Sequence, residues 1–383
     1  MRNHAPLPIA LAMTAVAAAS ACSGAGGVTD AGRDFSDAFP ENRGTLVYEG
    51  SPSANQLLWW ESATELVDVL AVSPMSASAA QPAGLYVRAT NVDARTTRLM
   101  HGPRAFGGEL SGVIVAPDGV TTFVVSSVLG PTGRVTPLHH AGPGTTSTLV
   151  TPSAGLLGSQ KHSPFGMSIV VSPDSKSAAY IAAPDSLKVY DVSLRTSRPL
   201  ATGCTSVLAF APDGQRVLCA SSVGAYSLVT VATGASVSAG SRTPDIHLMH
   251  LGSGGLQQLR SGAFFVTDIV NTTTGATTNI ITRDQLKSGE FPEFQRGTWS
   301  SDGRRVAFAA SHTCGAFSGC PFAQSSIYVV DIASRRLQRV AVINFPSNSS
   351  ASIDAIAFAP DGNRVAYVAQ WNAMRSAYVA SIP

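Results

Sequence analysis

Charge is scarce in this sequence. Asp, Glu, Lys and Arg make up 13% of its 383 residues, and the formal net charge is only +2. So small a net charge gives no electrostatic case for nucleic acid or for an anionic membrane surface as a partner. Lysine is nearly absent; Lys161, Lys176, Lys188 and Lys287 are the whole set. Past the N-terminus, no stretch approaches the ~20 consecutive apolar residues of a spanning helix, which predicts a soluble body. There is no G-x-S-x-G elbow. No Glu accompanies the histidines in a zinc-protease arrangement. What is present is apolar and finely divided. Hydrophobic residues reach 44%, with 35 Gly and 23 Pro scattered between short apolar runs. That texture is one of many short strands and tight turns, an all-β chain able to bury a large core.

The first 22 residues have the grammar of an export signal. Arg2 precedes an apolar stretch from Ala5 to Ala18, followed by Ala19-Ser20-Ala21-Cys22. One positive charge, a short apolar segment and small residues before a cut site make a secretory signal. Small residues directly before Cys resemble the bacterial lipobox, in which the thiol of Cys22 is acylated and becomes the new N-terminus. The alternative is cleavage after Ala19-Ser20-Ala21 as an ordinary A-x-A site, which releases a secreted soluble protein. The expected organisation is a signal at 1–22, a flexible tether at 23–43 and one folded domain at 44–383, on a membrane-anchored lipoprotein facing the periplasm or the exterior.

Five cysteines in an exported chain are an odd number. Lipidating Cys22 leaves four. Cys314 and Cys320 bracket a Gly-rich loop and are candidates to close it. Cys204 and Cys219 flank one hairpin and are candidates to pair across neighbouring strands, the alternative being two buried free thiols.

A short unit recurs. It is clearest at Ile356-Ala357-Phe358-Ala359-Pro360-Asp361-Gly362-Asn363-Arg364-Val365-Ala366-Tyr367-Val368: an apolar strand, a turn and a second apolar strand. Further copies carry Asp118, Asp174, Asp213 and Asp302, and the Asp-to-Asp steps are 56, 39, 89 and 59 residues. The step of 89 fits two units with a worn copy between them. A period near 40–50 residues is that of propeller blades. In the turn, Pro presets φ, Asp bonds its own downstream backbone and Gly accepts positive φ. A third apolar strand and a more polar fourth complete a blade, and blades must stack to bury both faces.

The tally is seven four-stranded antiparallel blades, with six as the alternative because the first and fifth units are worn. They fall at about 56–103, 110–150, 166–203, 206–250, 255–290, 296–343 and 353–383, with the fifth marked by the strand 263–266. The last unit supplies three strands. Thr45-Leu46-Val47-Tyr48 is unassigned and is expected to complete that blade and close the ring, which removes exposed edges.

These strand–Pro-Asp-Gly–strand units resemble the TolB-like, WD-repeat-like β-propeller repeat from about residue 110 onward. The resemblance implies a docking module in the bacterial envelope. This chain departs from the family's type member, which carries an α/β domain before its propeller; here only the segment 23–43 separates Cys22 from the first strand. Propellers of this type also precede serine peptidase domains, for which the chain has no room.

Four residue groups are candidates for chemistry. The repeat aspartates Asp118, Asp174, Asp213, Asp302 and Asp361 are expected to shape turns, since equivalent positions in separate blades do not converge. The histidines His139, His140, His247 and His250 are expected to hold no metal. Trp59 and Trp60, like Phe291 and Phe294, are candidate interface anchors, with packing between blades as the other reading. Glu290 and Glu293 beside the second cluster would frame a pocket. The expected function is a non-catalytic module that binds an envelope protein, peptide or glycan as a monomer. It involves no cofactor or nucleic acid, and touches the membrane only through the N-terminal lipid. The alternative is a propeller hydrolase or lyase with its site at the mouth of the central channel.

Overall fold

Apolar strands alternating with Gly- and Asp-containing turns build a seven-bladed β-propeller. The computed structural model describes residues 42–383 apart from several internal stretches, the longest being 153–168 and 313–321. Cys22, Cys314, Cys320 and the proposed strand at 263–266 lie outside the described residues. Blade 1 runs from Ala54 to Arg104, blade 2 from Glu109 to Thr151 and blade 3 from Ile169 to Thr202. Blade 4 spans Ser206 to Ser241, blade 5 Ile246 to Ile281 and blade 6 Glu290 to Pro346. Blade 2 has a fifth strand, Gly133–Val135, beside Thr122–Gly130. First strands of successive blades lie side by side around the axis, as between blades 5, 6, 7 and 1.

Blade 7 comprises Ala351–Phe358, Arg364–Trp371 and Met374–Ser381, and its fourth strand is Thr45–Ser51 from the other end of the chain. Thr45 pairs with Val379 and Leu46 with Tyr378. The ring is closed by the N-terminal strand, as expected, and the edge of Met374–Ser381 is covered. Two blade limits differ from the sequence reading. Ile246–Gly252 is the first strand of blade 5, not the end of blade 4, and blade 6 begins at Glu290. Blade 5 lacks the Pro-Asp-Gly mark. The link from Gly252 to Gly255 reads Gly-Ser-Gly-Gly, with Gly255 at φ 101°, so the Pro-Asp-Gly marker was absent there.

The propeller has two faces. On the hairpin face lie the turns joining first to second and third to fourth strands. On the crossover face the chain passes to the next blade. The repeat aspartates sit on the hairpin face and bond their own turns. Oδ1 of Asp118, Asp174, Asp213, Asp302 and Asp361 accepts the N–H of Val120, Lys176, Gln215, Arg304 and Asn363, at 2.8–3.1 Å. Gly214, Gly303 and Gly362 follow three of them at φ 67–70°. Ser175 takes that left-handed position in blade 3, at φ 60°. Its Oγ accepts the Asp118 N–H of blade 2 at 2.9 Å, an inter-blade bond that offsets the strain of a Cβ there.

Between blades the packing is apolar. Ala309, Ile327, Val329, Ile343 and Phe345 of blade 6 meet Ile353, Val365 and Tyr367 of blade 7. Cys204 and Cys219 are both buried and joined by a disulfide, with Cα atoms 5.8 Å apart. It closes a 15-residue separation, worth about 3 kcal/mol in the chain-entropy model. Among the described residues no helix is long and apolar enough to cross a membrane.

Candidate functional site at the crossover end of blade 6

Side chains alternate along a strand, so each blade presents one set of residues to each neighbour. In blade 6 the set facing blade 7 is apolar. The set facing blade 5 is polar towards the crossover face. Glu290 opens the first strand and is 7% exposed. Its carboxyl accepts hydrogen bonds from Ser326 Oγ at 2.7 Å and Tyr328 OH at 2.5 Å. Both donors come from the third strand, Phe322–Asp331, and Ser326 is fully buried. Gln324, two positions earlier on the same face, donates from Nε2 to Asn344 Oδ1 at 2.8 Å. Below this polar row the wall turns aromatic. Phe294 and Phe308 lie 4.7 Å apart, and Phe308 stacks on Tyr328 at 5.6 Å.

Burial and the adjacent Glu290 hold the Tyr328 hydroxyl well above the ordinary tyrosine range, with Arg339 opposing them. Tyr328 is therefore a hydrogen-bond donor at any physiological pH. No Lys, Arg or His forms an ion pair with Glu290 among the described residues. On the blade 5 side, Thr267 shares a strand face with Ile269 of the apolar seam. It is fully buried, and its Oγ1 has no partner among the described residues.

Glu290 and Glu293 do not frame one pocket. Three residues apart on a strand, they point to opposite faces. Glu293 lies on the side of blade 7 and accepts a hydrogen bond from Ser311 Oγ. Phe291 and Pro292 between them are half-buried. Phe294 is buried at 2% exposure in the seam with blade 5. Trp60 is buried at 7%, donates from Nε1 to Ala357 O at 3.1 Å and lies under the Arg364 guanidinium, 5.5 Å from the ring centre. Packing between blades, rather than contact with a partner, therefore describes Phe294 and Trp60. Trp59 lies in strand Ala54–Trp60, and its side chain is outside the described residues.

The histidines are scattered. His140 is buried in the seam of blades 2 and 3, with Nδ1 2.9 Å from Tyr190 OH and its ring stacked on Phe123. His250 stacks on Trp299 at 5.3 Å and packs against Gly303 of the blade 6 turn. Burial lowers its pKa, with the nearby Asp302 opposing the shift. No group of three His, Cys, Asp or Glu converges on a metal-holding geometry among the described residues. Sequence reasoning missed Gln324, Ser326 and Tyr328. The available signal was their period of two against Ile327 and Val329 within a single strand.

No protein-family model matches the chain, and no characterised protein matches its sequence. Among solved structures it is similar to the C-terminal WD40 domain of Sif2, at 10% identity and a TM-score of 0.51, over 90% of this chain and 100% of that one. It is also similar to a chain of the mitotic checkpoint complex, at 13% identity and a TM-score of 0.49, over 97% and 99% of the two chains. At such identities the first likeness concerns fold alone. The fold is a seven-bladed β-propeller, similar in architecture to that WD40 domain.

Proposed function

We propose that this propeller is an exported docking module of the TolB-like kind, anchored through a lipid on Cys22 in the bacterial cell envelope. As a monomer, it binds a protein or peptide partner at the crossover end of blade 6. One observation carries the choice of binding over catalysis. The groups around the one buried acid are engaged with one another: Ser326 and Tyr328 both donate to Glu290. A buried carboxyl held by two neutral donors shapes a rigid rim and leaves no pair poised for proton transfer. The half-buried Phe291 and Pro292 beside Glu293 then offer an aromatic contact edged by an acid, the composition of an interface rather than of a reacting centre.

The test is site-specific photo-crosslinking from position 291 in intact membranes. The expected result is one dominant crosslinked protein, lost in a Phe291→Ala/Glu293→Lys variant that melts within a few degrees of the parent. Recovery of a glycan in place of a protein changes the partner class. Capture of nothing, together with turnover of a small-molecule panel, overturns the binding reading. Anchoring is tested separately. The parent should fractionate with membranes after a high-salt wash, and a Cys22→Ala variant should not.

A further inference from the structure

Two acids are buried among the described residues, Asp68 and Glu290. Asp68 is neutralised by the Arg88 guanidinium of the adjacent strand. The half-buried Asp268 and Asp354 are paired in the same way, with Arg260 at 3.4 Å and Arg375 at 3.0 Å. Glu290 breaks the pattern. Among the described residues it has two neutral hydroxyls and no cation. Arg339 sits opposite Tyr328 on the fourth strand and acts on the tyrosine hydroxyl, but forms no ion pair with the carboxyl. Taking a carboxylate out of water without a cation is costly.

The carboxyl is not used up by its donors. Ser326 bonds Oε1 and Tyr328 bonds Oε2. Each carboxylate oxygen accepts two hydrogen bonds, so the described residues leave one place open on each. A further acceptor comes from blade 5. On its third strand, Thr267–Asn271, Thr267 and Ile269 point to one side, and Ile269 packs with Phe294, Phe308 and Tyr328 of blade 6. Thr267 lies two residues, ~7 Å, nearer the crossover face than Ile269. Ser326 stands in the same relation to Tyr328, so Thr267 lies in the seam at the level of Ser326 and Glu290. It is 0% exposed, and its Oγ1 has no partner among the described residues. A buried hydroxyl left unpaired is costly for the same reason as the carboxylate.

Both costs are met by one group that brings a positive charge and several donors. A lysine ammonium carries one charge and three donors, which match the two open places on Glu290 and the Thr267 hydroxyl. An arginine guanidinium spreads five donors over a flat fork and would leave some of them unpaired in the seam. Below the polar row lie the rings of Phe294, Phe308 and Tyr328, an apolar wall suited to a lysine stem.

We infer that the seam of blades 5 and 6 takes the side-chain ammonium of a lysine on the partner, held by Glu290 and Thr267. This rests on the proposed docking of a protein or peptide at the crossover end of blade 6. It adds the residue by which the partner is chosen.

The test is selection from a random-peptide display library on the full chain carrying Cys22→Ala. Selected sequences are then synthesised with acetylated N-termini and titrated by fluorescence anisotropy. The expected result is a set of peptides sharing a lysine. Acetylating that side chain should abolish binding, and Lys→Arg in the peptide should weaken it about tenfold. In the propeller, Glu290→Gln should weaken binding about thirtyfold and Thr267→Val about fivefold. Thr267→Val separates binding from folding. It should melt at or above the parent temperature, because a methyl replaces an unpaired buried hydroxyl. Selected peptides without a common lysine, failure to select any peptide, or a lysine peptide that binds either variant as tightly as the parent overturns the inference. Crosslinking from position 291 reports on docking independently. A crosslinked partner alongside lysine-free peptides removes the ammonium site and leaves docking standing, whereas no crosslink and no selected peptide remove both.

Discussion

The two walls of blade 6 are made from the same strands and solve different problems. Towards blade 7, Ile327, Val329, Ile343 and Phe345 join the apolar seam. Towards blade 5, Gln324, Ser326 and Tyr328 from alternate positions of the same strand meet Glu290 and Asn344. Apolar contact is non-directional and tolerates small shifts, so the first wall can hold the ring together. Buried polar groups are stabilising only when every partner is in place. The second wall is therefore rigid and specific rather than simply adhesive. One strand serves both ends because its side chains alternate.

The comparison makes ranked predictions. Phe345→Ala, in the apolar wall and 2% exposed, should cost about 3–5 kcal/mol in denaturant unfolding. A loss below ~1 kcal/mol would show that this seam does not hold the ring. Tyr328→Phe keeps the ring stack but leaves Glu290 with one donor, and should cost about 1–3 kcal/mol. A neutral result would mean that the polar wall is not a closed network.

The third prediction concerns pH at the hairpin end of the polar seam. His250 of blade 5 is half-buried against Trp299 of blade 6, and this partial burial, opposed by the nearby Asp302, lowers its pKa from the ordinary 6.5. The unfolded chain then binds the proton more readily than the native one. This contribution to stability is present above about pH 6.5 and is lost as pH falls from there towards the lower native value. Urea midpoints for the parent should fall over that window, while those of a His250→Phe variant fall less. Parallel curves would remove His250 from the explanation. The smallest effect is expected from Ser311→Ala, which deletes the donor to half-buried Glu293 and should change stability by less than about 1 kcal/mol.

Much of the fold was legible from the recurring turn. Pro, Asp and Gly at fixed offsets have conformational meanings that do not depend on distant contacts. The same local logic explains where the sequence reading slipped. Blade 5 begins at Ile246 instead of near residue 255, because the Gly-Ser-Gly-Gly link after its first strand carries no Pro-Asp-Gly marker. Of the site, Phe291, Phe294, Glu290 and Glu293 stood out as an aromatic and acidic cluster. That cluster is split by the strand period, with Phe294 and Glu290 on one side and Glu293 on the other. Their true neighbours, Ser326 and Tyr328, are 36 and 38 residues from Glu290, a separation that proximity in sequence cannot reveal.

By itself the sequence determined the alternation of strand and turn, the repetition of that unit around a ring, and the need of the last unit for a strand from elsewhere. Each follows from short-range rules: side-chain period, turn conformation and the cost of an open edge. The tertiary structure alone decided that Glu290 is enclosed by two hydroxyls from a distant strand. It alone decided that Glu293 looks the other way. These depend on register between strands and on stacking between blades, and neither is set until the ring closes.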